Sequence, residues 1–320
     1  MTQPVMSGDR LTVAQAQEGF LGIMRQLNGP DQQELLAWIK SSWQDAVTGC
    51  DDAEDCEELL DAIVADLRIA LPLDAVLPSE TIRIPDTGKN ADCTPQHMLH
   101  VDAFLYNDDL VDTLCEEGQL ARSYCLQCGS RNTRPLTYIS HSMSRERLAF
   151  VFKAMLPPLD GKVVLDIGSR LGAALYGAYV YSKAAVIVGV EMNGDLCKIQ
   201  NSIVSKYKLQ DKVRVVHADV MCRPDLVAEA DVIIMNNVFE FFLSTEQQSA
   251  VWKFLRHTMR PGTLLVTVPP LAETLPTLQM DADLDQWVEA LPLYNPVEAG
   301  VILSAEEMLE LGHYRIISAK

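Results

Sequence analysis

Residues 163–173, Val163-Val-Leu-Asp-Ile-Gly-Ser-Arg-Leu-Gly-Ala173, set an apolar β-branched run, an acid and a glycine-bearing turn directly ahead of an alanine-rich segment that reads as helix. A strand that ends on a carboxylate and passes through a tight turn into a helix N-terminus is the entry unit of a nucleotide-binding α/β sheet. Spacing separates two kinds of site here. A dinucleotide fingerprint needs G-x-G-x-x-G, and from Gly168 the next two glycine positions hold Arg170 and Ala173. Read as D-x-G-x-G-x-G, the same segment keeps Asp166, Gly168 and Gly172 and loses only the middle glycine, to Arg170.

The pattern then repeats. Ala185-Val-Ile-Val-Gly-Val-Glu191 is a second β-branched run ending in an acid, about twenty residues past the turn, where Rossmann-like sites set a carboxylate on the ribose hydroxyls. Residues 195–207 read as a helix, and Val213-Arg-Val-Val-His-Ala-Asp219 as a third strand. Asp231-Val-Ile-Ile-Met-Asn-Asn237 is a fourth, ending in two amides, and Met259-Arg-Pro-Gly262 marks a turn before a fifth at 263–268. Strands alternating with helices predict a doubly wound, mostly parallel sheet with its ligand at the strands' carboxyl ends.

Over residues 137–320 these motifs resemble the class I S-adenosylmethionine (SAM) methyltransferases. The resemblance implies a Rossmann-like α/β domain with SAM as cofactor. It implies that the turn at Gly168, Ser169 and Gly172 cradles the methionine end, that Asp166 orients it, that Glu191 holds the ribose and that Asp219 lies near the adenine. It also implies a last strand inserted antiparallel into the sheet, for which His313-Tyr-Arg-Ile-Ile-Ser-Ala319 has the alternation.

Substrate choice in this family is set after the fourth strand, here Met235-Asn-Asn-Val-Phe-Glu-Phe-Phe242. The segment lacks the prolines of the [D/N]-P-P-[Y/F] motif used for nucleobase amines. It resembles the V-N-N-F-A-F segment of the non-SET histone lysine methyltransferases, which share a G-V-E at the second strand's end. On that likeness Asn236 faces both cofactor and methyl acceptor, and Phe239, with Phe241, shapes the acceptor channel. Glu240 either takes a proton or lies exposed between aromatics. No counterpart of those enzymes' basic DNA-contacting tail is found. The expected activity is methyl transfer to a protein side chain of the lysine type. A methyltransferase-like protein that binds a partner without turnover, and an RNA or small-molecule methyltransferase, are the alternatives.

Charge narrows the partners. Across 320 residues the net charge is −18, and nucleic-acid affinity depends on Lys and Arg neutralising phosphates. Arg131, Arg134, Arg145 and Arg147 form the best candidate basic patch, though ordinary helix and loop charges explain them as well. A protein substrate or basic protein partner is expected, and nucleic acid is not. Residues 1–70 read as an acidic helical region in which Leu59, Leu60, Ile63, Val64 and Leu67 stripe one face. Residues 71–136 read as an irregular, cysteine-bearing region. Cys125-Leu-Gln-Cys128 resembles half a zinc knuckle, and a tetrahedral site needs two more ligands. Cys93 and His97 are candidates, His100 and Cys115 alternates, and a core thiol pair or redox couple is the other reading, so no metal is assigned. Tyr138 to Ser144 is a candidate lid over the cofactor, carrying His141 as a candidate base, with a solvent or capping histidine as its other reading, and with Ser144 capping the helix that follows. No basic n-region precedes an apolar core at Met1, and no apolar run nears the ~20 residues that span a bilayer. A cytosolic or nuclear setting is expected.

Overall fold

The computed structural model describes residues 19–20, 22, 24–29, 31–33, 35, 53–85, 91, 94, 96–127, 131–280, 284–293 and 303–318. Two compact units divide the chain, residues 1–55 and 56–320. In the first, helical residues end at Met24 and resume at Gly29, and Asp31 N–H bonds the Asn28 side chain at 3.0 Å. In the sequence Leu35, Ile39 and Trp43 are spaced to mark one face of a helix, and of these Ile39 and Trp43 lie outside the described residues.

The second unit opens with α1 (Ala53–Ala70), whose Leu60, Ile63 and Leu67 are fully buried. Its acidic face is answered within the same unit, because Arg145 pairs with Asp61 and Glu57 while Lys206 pairs with Asp66. Short elements follow: β1 (Met98–His100), α2 (Asp108–Glu116), β2 (Ser123–Cys125), β3 (Thr133–Pro135), β4 (Thr137–Ile139) and α3 (Arg145–Phe150). β4 runs parallel to β1, and β2 pairs antiparallel with β3. Ser144 caps α3 through Arg147 N–H, as the sequence predicts. The helix then widens into a π turn at Val151–Met155, where Leu156 N–H reaches Val151 O.

The remaining chain alternates β5 (Val163–Ile167), α4 (Ala173–Tyr181), β6 (Val186–Glu191), α5 (Gly194–Lys206), β7 (Val213–His217), α6 (Pro224–Glu229), β8 (Val232–Asn236), α7 (Thr245–Thr258) and β9 (Leu264–Val268). It closes with α8 (Leu271–Thr277), α9 (Leu284–Trp287), β10 (Val288–Ala290), α10 (Ala305–Leu309) and β11 (Gly312–Ile316). The sheet order is β10-β11-β9-β8-β5-β6-β7. β5 through β9 are mutually parallel, and β11 runs antiparallel to both of its neighbours.

Central strands are covered on both faces, which is why they are continuous apolar runs rather than alternating ones. Leu165, Ile233 and Leu265 stack across β5, β8 and β9, and Trp252 of α7 meets Trp287 edge-on at 6.3 Å. Because the parallel strands share one direction, Asp166, Glu191 and Asn236 come to the same edge of the sheet on the adjacent β5, β6 and β8. Within this sheet β10 is the strand that the sequence does not predict, and the short strands β1 to β4 are likewise unpredicted, in stretches that read as irregular or as a lid.

Candidate functional site

β5 delivers the chain into a turn whose amides are used at once. Gly168 and Ser169 N–H both donate to Val190 O, at 2.8 and 3.2 Å, and Gly172 N–H donates to Ser169 O at 2.6 Å. Gly168 and Gly172 have φ of 72° and 88°, a region L-residues rarely adopt. A Cβ at Gly168 would lie 2.0 Å from Val238 Cγ2, so neither conformation nor space admits a side chain there. Arg170 takes the missing glycine's place at φ 44°.

Its side chain does not enter the turn. The guanidinium reaches back 90 residues to Glu80 at 3.0 Å and 68 residues to Asp102 at 3.1 Å, and Ala75 O accepts its third bond at 2.5 Å. All three charged side chains are buried, at 6, 3 and 1% exposure for Arg170, Glu80 and Asp102. Ser142 Oγ completes the network on Asp102 at 2.6 Å. Sequence spacing marks Arg170 as an anomaly but carries no signal for Glu80 or Asp102, which lie in stretches without periodicity.

Glu191, at the end of β6, accepts Arg170 N–H on one oxygen (2.9 Å) and Asn193 N–H on the other (2.8 Å). A carboxylate has about four lone-pair sites, so acceptor capacity remains on both oxygens. Asp166 sits beside it, buried. Burial, reinforced by the Glu191 charge, pushes the Asp166 carboxyl up to about 8. Asp219 is half-buried one strand further on and caps a short 3-10 turn through Met221 N–H. Ser169 Oγ donates to Gln200 Oε1 at 2.8 Å. Two buried polar atoms near this turn, Tyr176 Oη and Gln200 Nε2, have no hydrogen-bond partner among the described residues. A Cβ at Gly172 would fall 2.7 Å from that hydroxyl. Spare carboxylate capacity at Glu191 and an orphaned hydroxyl against Gly172 fit a ligand with a diol and a polar tail, as SAM has.

The amides of β8 staple the neighbouring loop. Asn236 Nδ2 donates to His141 O at 3.0 Å and Asn237 Nδ2 to Ser140 O at 3.2 Å. Asn237 has φ 48°, which asparagine tolerates. The segment 138–144 therefore closes across the strand ends. His141 is buried, stacked on His100 and edge-on to Phe241 at 5.3 Å. Burial holds its imidazole well below the ordinary histidine range, and the Arg170 charge adds to this, so the ring is neutral.

Beyond Asn236 opens a cavity of about 660 Å³. Asn236, Phe239 and Phe241 line it, together with Ser140, Ser142 and Trp252. Asn236 and Val238 thus stand between the glycine turn and this cavity, whereas Asp166, Gly168, Ser169, Gly172, Glu191 and Asp219 lie outside its wall.

Of the four arginines in the candidate patch, Arg145 and Arg147 are bound to carboxylates of this unit, and Arg131 and Arg134 are exposed. Cys93 and Cys128 lie outside the described residues; His97 stacks on Tyr124 at 4.0 Å, and Cys115 Sγ contacts Tyr138 Oη. Among the described residues no group of three or more His, Cys, Asp and Glu is placed to hold a metal ion, and no helix is long and apolar enough to cross a membrane.

No protein-family model matches the chain, and neither does any curated protein. Solved structures do resemble it. An RNA methyltransferase from Salinibacter ruber, bound to S-adenosyl-L-homocysteine, is 18% identical over 55% of this chain and 91% of its own, with a TM-score of 0.35. An O-methyltransferase from Bacillus cereus, also bound to that product, is 15% identical over 56% and 84%, at 0.36. A methyltransferase from Geobacter sulfurreducens is 16% identical over 54% and 78%, at 0.37. What decides the fold is internal: the last strand, β11, is inserted antiparallel between β9 and β10. This is the class I methyltransferase fold. Substrate is not fixed by it, since function resides in sites grafted onto folds.

Proposed function

We propose that this chain is a SAM-dependent methyltransferase acting on a protein side-chain amine of the lysine type. One observation carries the reading. The strand-end groups Asp166, Glu191 and Asn236 share one edge of the sheet, and the third of them opens directly onto a ligand-sized cavity walled by Phe239 and Phe241. Held at that edge, SAM would supply a methyl group on a sulfonium, for transfer to an aligned amine with S-adenosylhomocysteine as the leaving group. Glu191 holds the ribose through its unused lone pairs, and Asp166 and the Gly168–Gly172 backbone hold the methionine end. Asn236, anchored by its Nδ2 to His141 O, keeps its side-chain oxygen for the incoming amine. Phe239, edge-on to Trp252 at 5.8 Å, is fixed as a wall of the acceptor channel.

The transfer would form the nitrogen–carbon bond as the sulfur–carbon bond breaks. The amine reacts in its neutral form, having released its proton to solvent, and an aromatic wall favours that form by desolvation. The residues contribute alignment and exclusion of water. A cytosolic or nuclear setting belongs to the same proposal.

Calorimetric titration of the purified chain with SAM and S-adenosylhomocysteine tests it. Micromolar binding is expected. Glu191→Ala should weaken it about tenfold or more, the worth of a hydrogen bond to a charged group, with the melting profile of the parent retained. Unchanged affinity in that variant removes Glu191 from the ribose site. The absence of binding to folded parent protein removes the enzyme reading and leaves the partner-binding alternative.

A further inference from the structure

On the reading of the strand-end groups as a SAM site, we propose that residues 72–85 are a gate over that site: the cofactor enters and leaves as this segment lifts, and Glu80 on Arg170 is its latch. The segment has no helix or strand, yet it crosses the carboxyl edge of the sheet. Ala75 O and the Glu80 carboxylate meet the Arg170 guanidinium in the turn after β5. Asn193 Nδ2, after β6, donates to Ser79 Oγ at 3.1 Å, and Arg83 N–H donates to Phe241 O, beyond β8, at 2.7 Å. β8, β5 and β6 are neighbours in that order, so the segment spans the edge that carries Asn236, Asp166 and Glu191. Arg170 joins the two layers directly. Its amide is on Glu191 at 2.9 Å and its side chain is on Glu80 at 3.0 Å.

The segment is built to move as a piece. Ala75 N–H reaches Pro72 O, Glu80 N–H reaches Leu77 O, and Leu77 N–H takes one oxygen of the Glu80 carboxylate at 2.8 Å. These local turns keep their shape when contacts to the sheet break, as in a compact surface loop. Little apolar surface holds it down. Ala75 is fully buried and Ile82 packs against Met98, Ile139 and Phe241, whereas Asp74, Pro78, Ser79, Thr81, Arg83 and Ile84 are exposed. Segments with few buried apolar contacts open well before the whole fold does. Ala75 also stands at φ 51°, a left-handed conformation that L-residues avoid, and letting go of Arg170 relieves it.

The two-point contact of Glu80 with Arg170 is the strongest of these ties, because both partners are charged and buried. It can still open. Asp102 keeps the guanidinium at 3.1 Å, so Glu80 can leave without stranding the cation.

Surface plasmon resonance of SAM on the immobilised full chain reads association and dissociation separately. Glu80→Gln, checked for an unchanged circular dichroism spectrum, should raise both rates about tenfold and move the affinity less than about threefold, since a weaker latch lowers the barrier in both directions. Asp195 stands beside Ser79. Joining Ser79→Cys to Asp195→Cys with a short bis-maleimide should therefore slow both rates about tenfold or more against the same variant unjoined. Without cofactor, hydrogen exchange of peptides covering 72–85 should quicken about tenfold in Glu80→Gln, with β5, β6 and β8 at the parent's rates. SAM kinetics unaltered by the cross-link, a Glu80→Gln effect confined to dissociation, or exchange no faster than the parent's would overturn the gate and leave the cofactor reading standing. A parent chain that binds no SAM removes the cofactor reading, and the gate with it. If Glu80→Gln does not fold, the cross-linked variant decides alone.

Discussion

Asp166 is the residue whose protonation state matters most. Its carboxyl titrates at about 8 in the folded chain, against about 3.9 when unfolded. Between those values the folded state holds a proton that the unfolded state has released, so stability from this group is full below about pH 4 and declines as pH rises through 8. Asp166→Asn keeps the neutral form throughout. Its melting temperature, followed from pH 4 to 9, should fall less than the parent's over that window; parallel curves would remove the shift. A cationic ligand beside Asp166 favours the charged form. SAM affinity should therefore rise as pH approaches 8 in the parent, with proton release detectable by calorimetry in buffers of different ionisation heat, and should stay flat in the variant.

At the scale of elements, β6 shows how tightly the site is built. Gly189 pairs in register with Asp166, and a Cβ on it would come 2.7 Å from Ser169 Oγ and 2.8 Å from Leu175 Cδ1. Gly189→Ala should cost about 1–3 kcal/mol through overpacking, measured by denaturant unfolding, and should weaken SAM binding because Ser169 is displaced with it. The five parallel strands and β11 are legible in the sequence because they are apolar, mostly β-branched runs that end in recognisable punctuation. β10 is not legible. It has three residues, Glu289 and Ala290 among them exposed, and it is a strand only because β11 offers it an edge. Asn236 and Phe239 are proposed from the segment after β8, whereas Glu80 and Asp102, which hold the arginine of the glycine turn, lie in stretches that share no motif.

On the scale of the whole molecule, the buried Glu80–Arg170–Asp102 network ties the segment before the sheet to the glycine turn. Arg170→Ala should destabilise the chain by about 3–5 kcal/mol, because two carboxylates would be left buried without their cation. Thermal melting checks this, and Arg170→Ala combined with Glu80→Gln and Asp102→Asn should recover much of the loss. The same bookkeeping reaches into the protein's history. No one of the three residues can drift by itself without passing through a form that folds poorly, so lineages should carry the trio whole or lack it whole. A relative with glycine restored at position 170 is expected to be uncharged at positions 80 and 102, and to have reached its cofactor turn by another route.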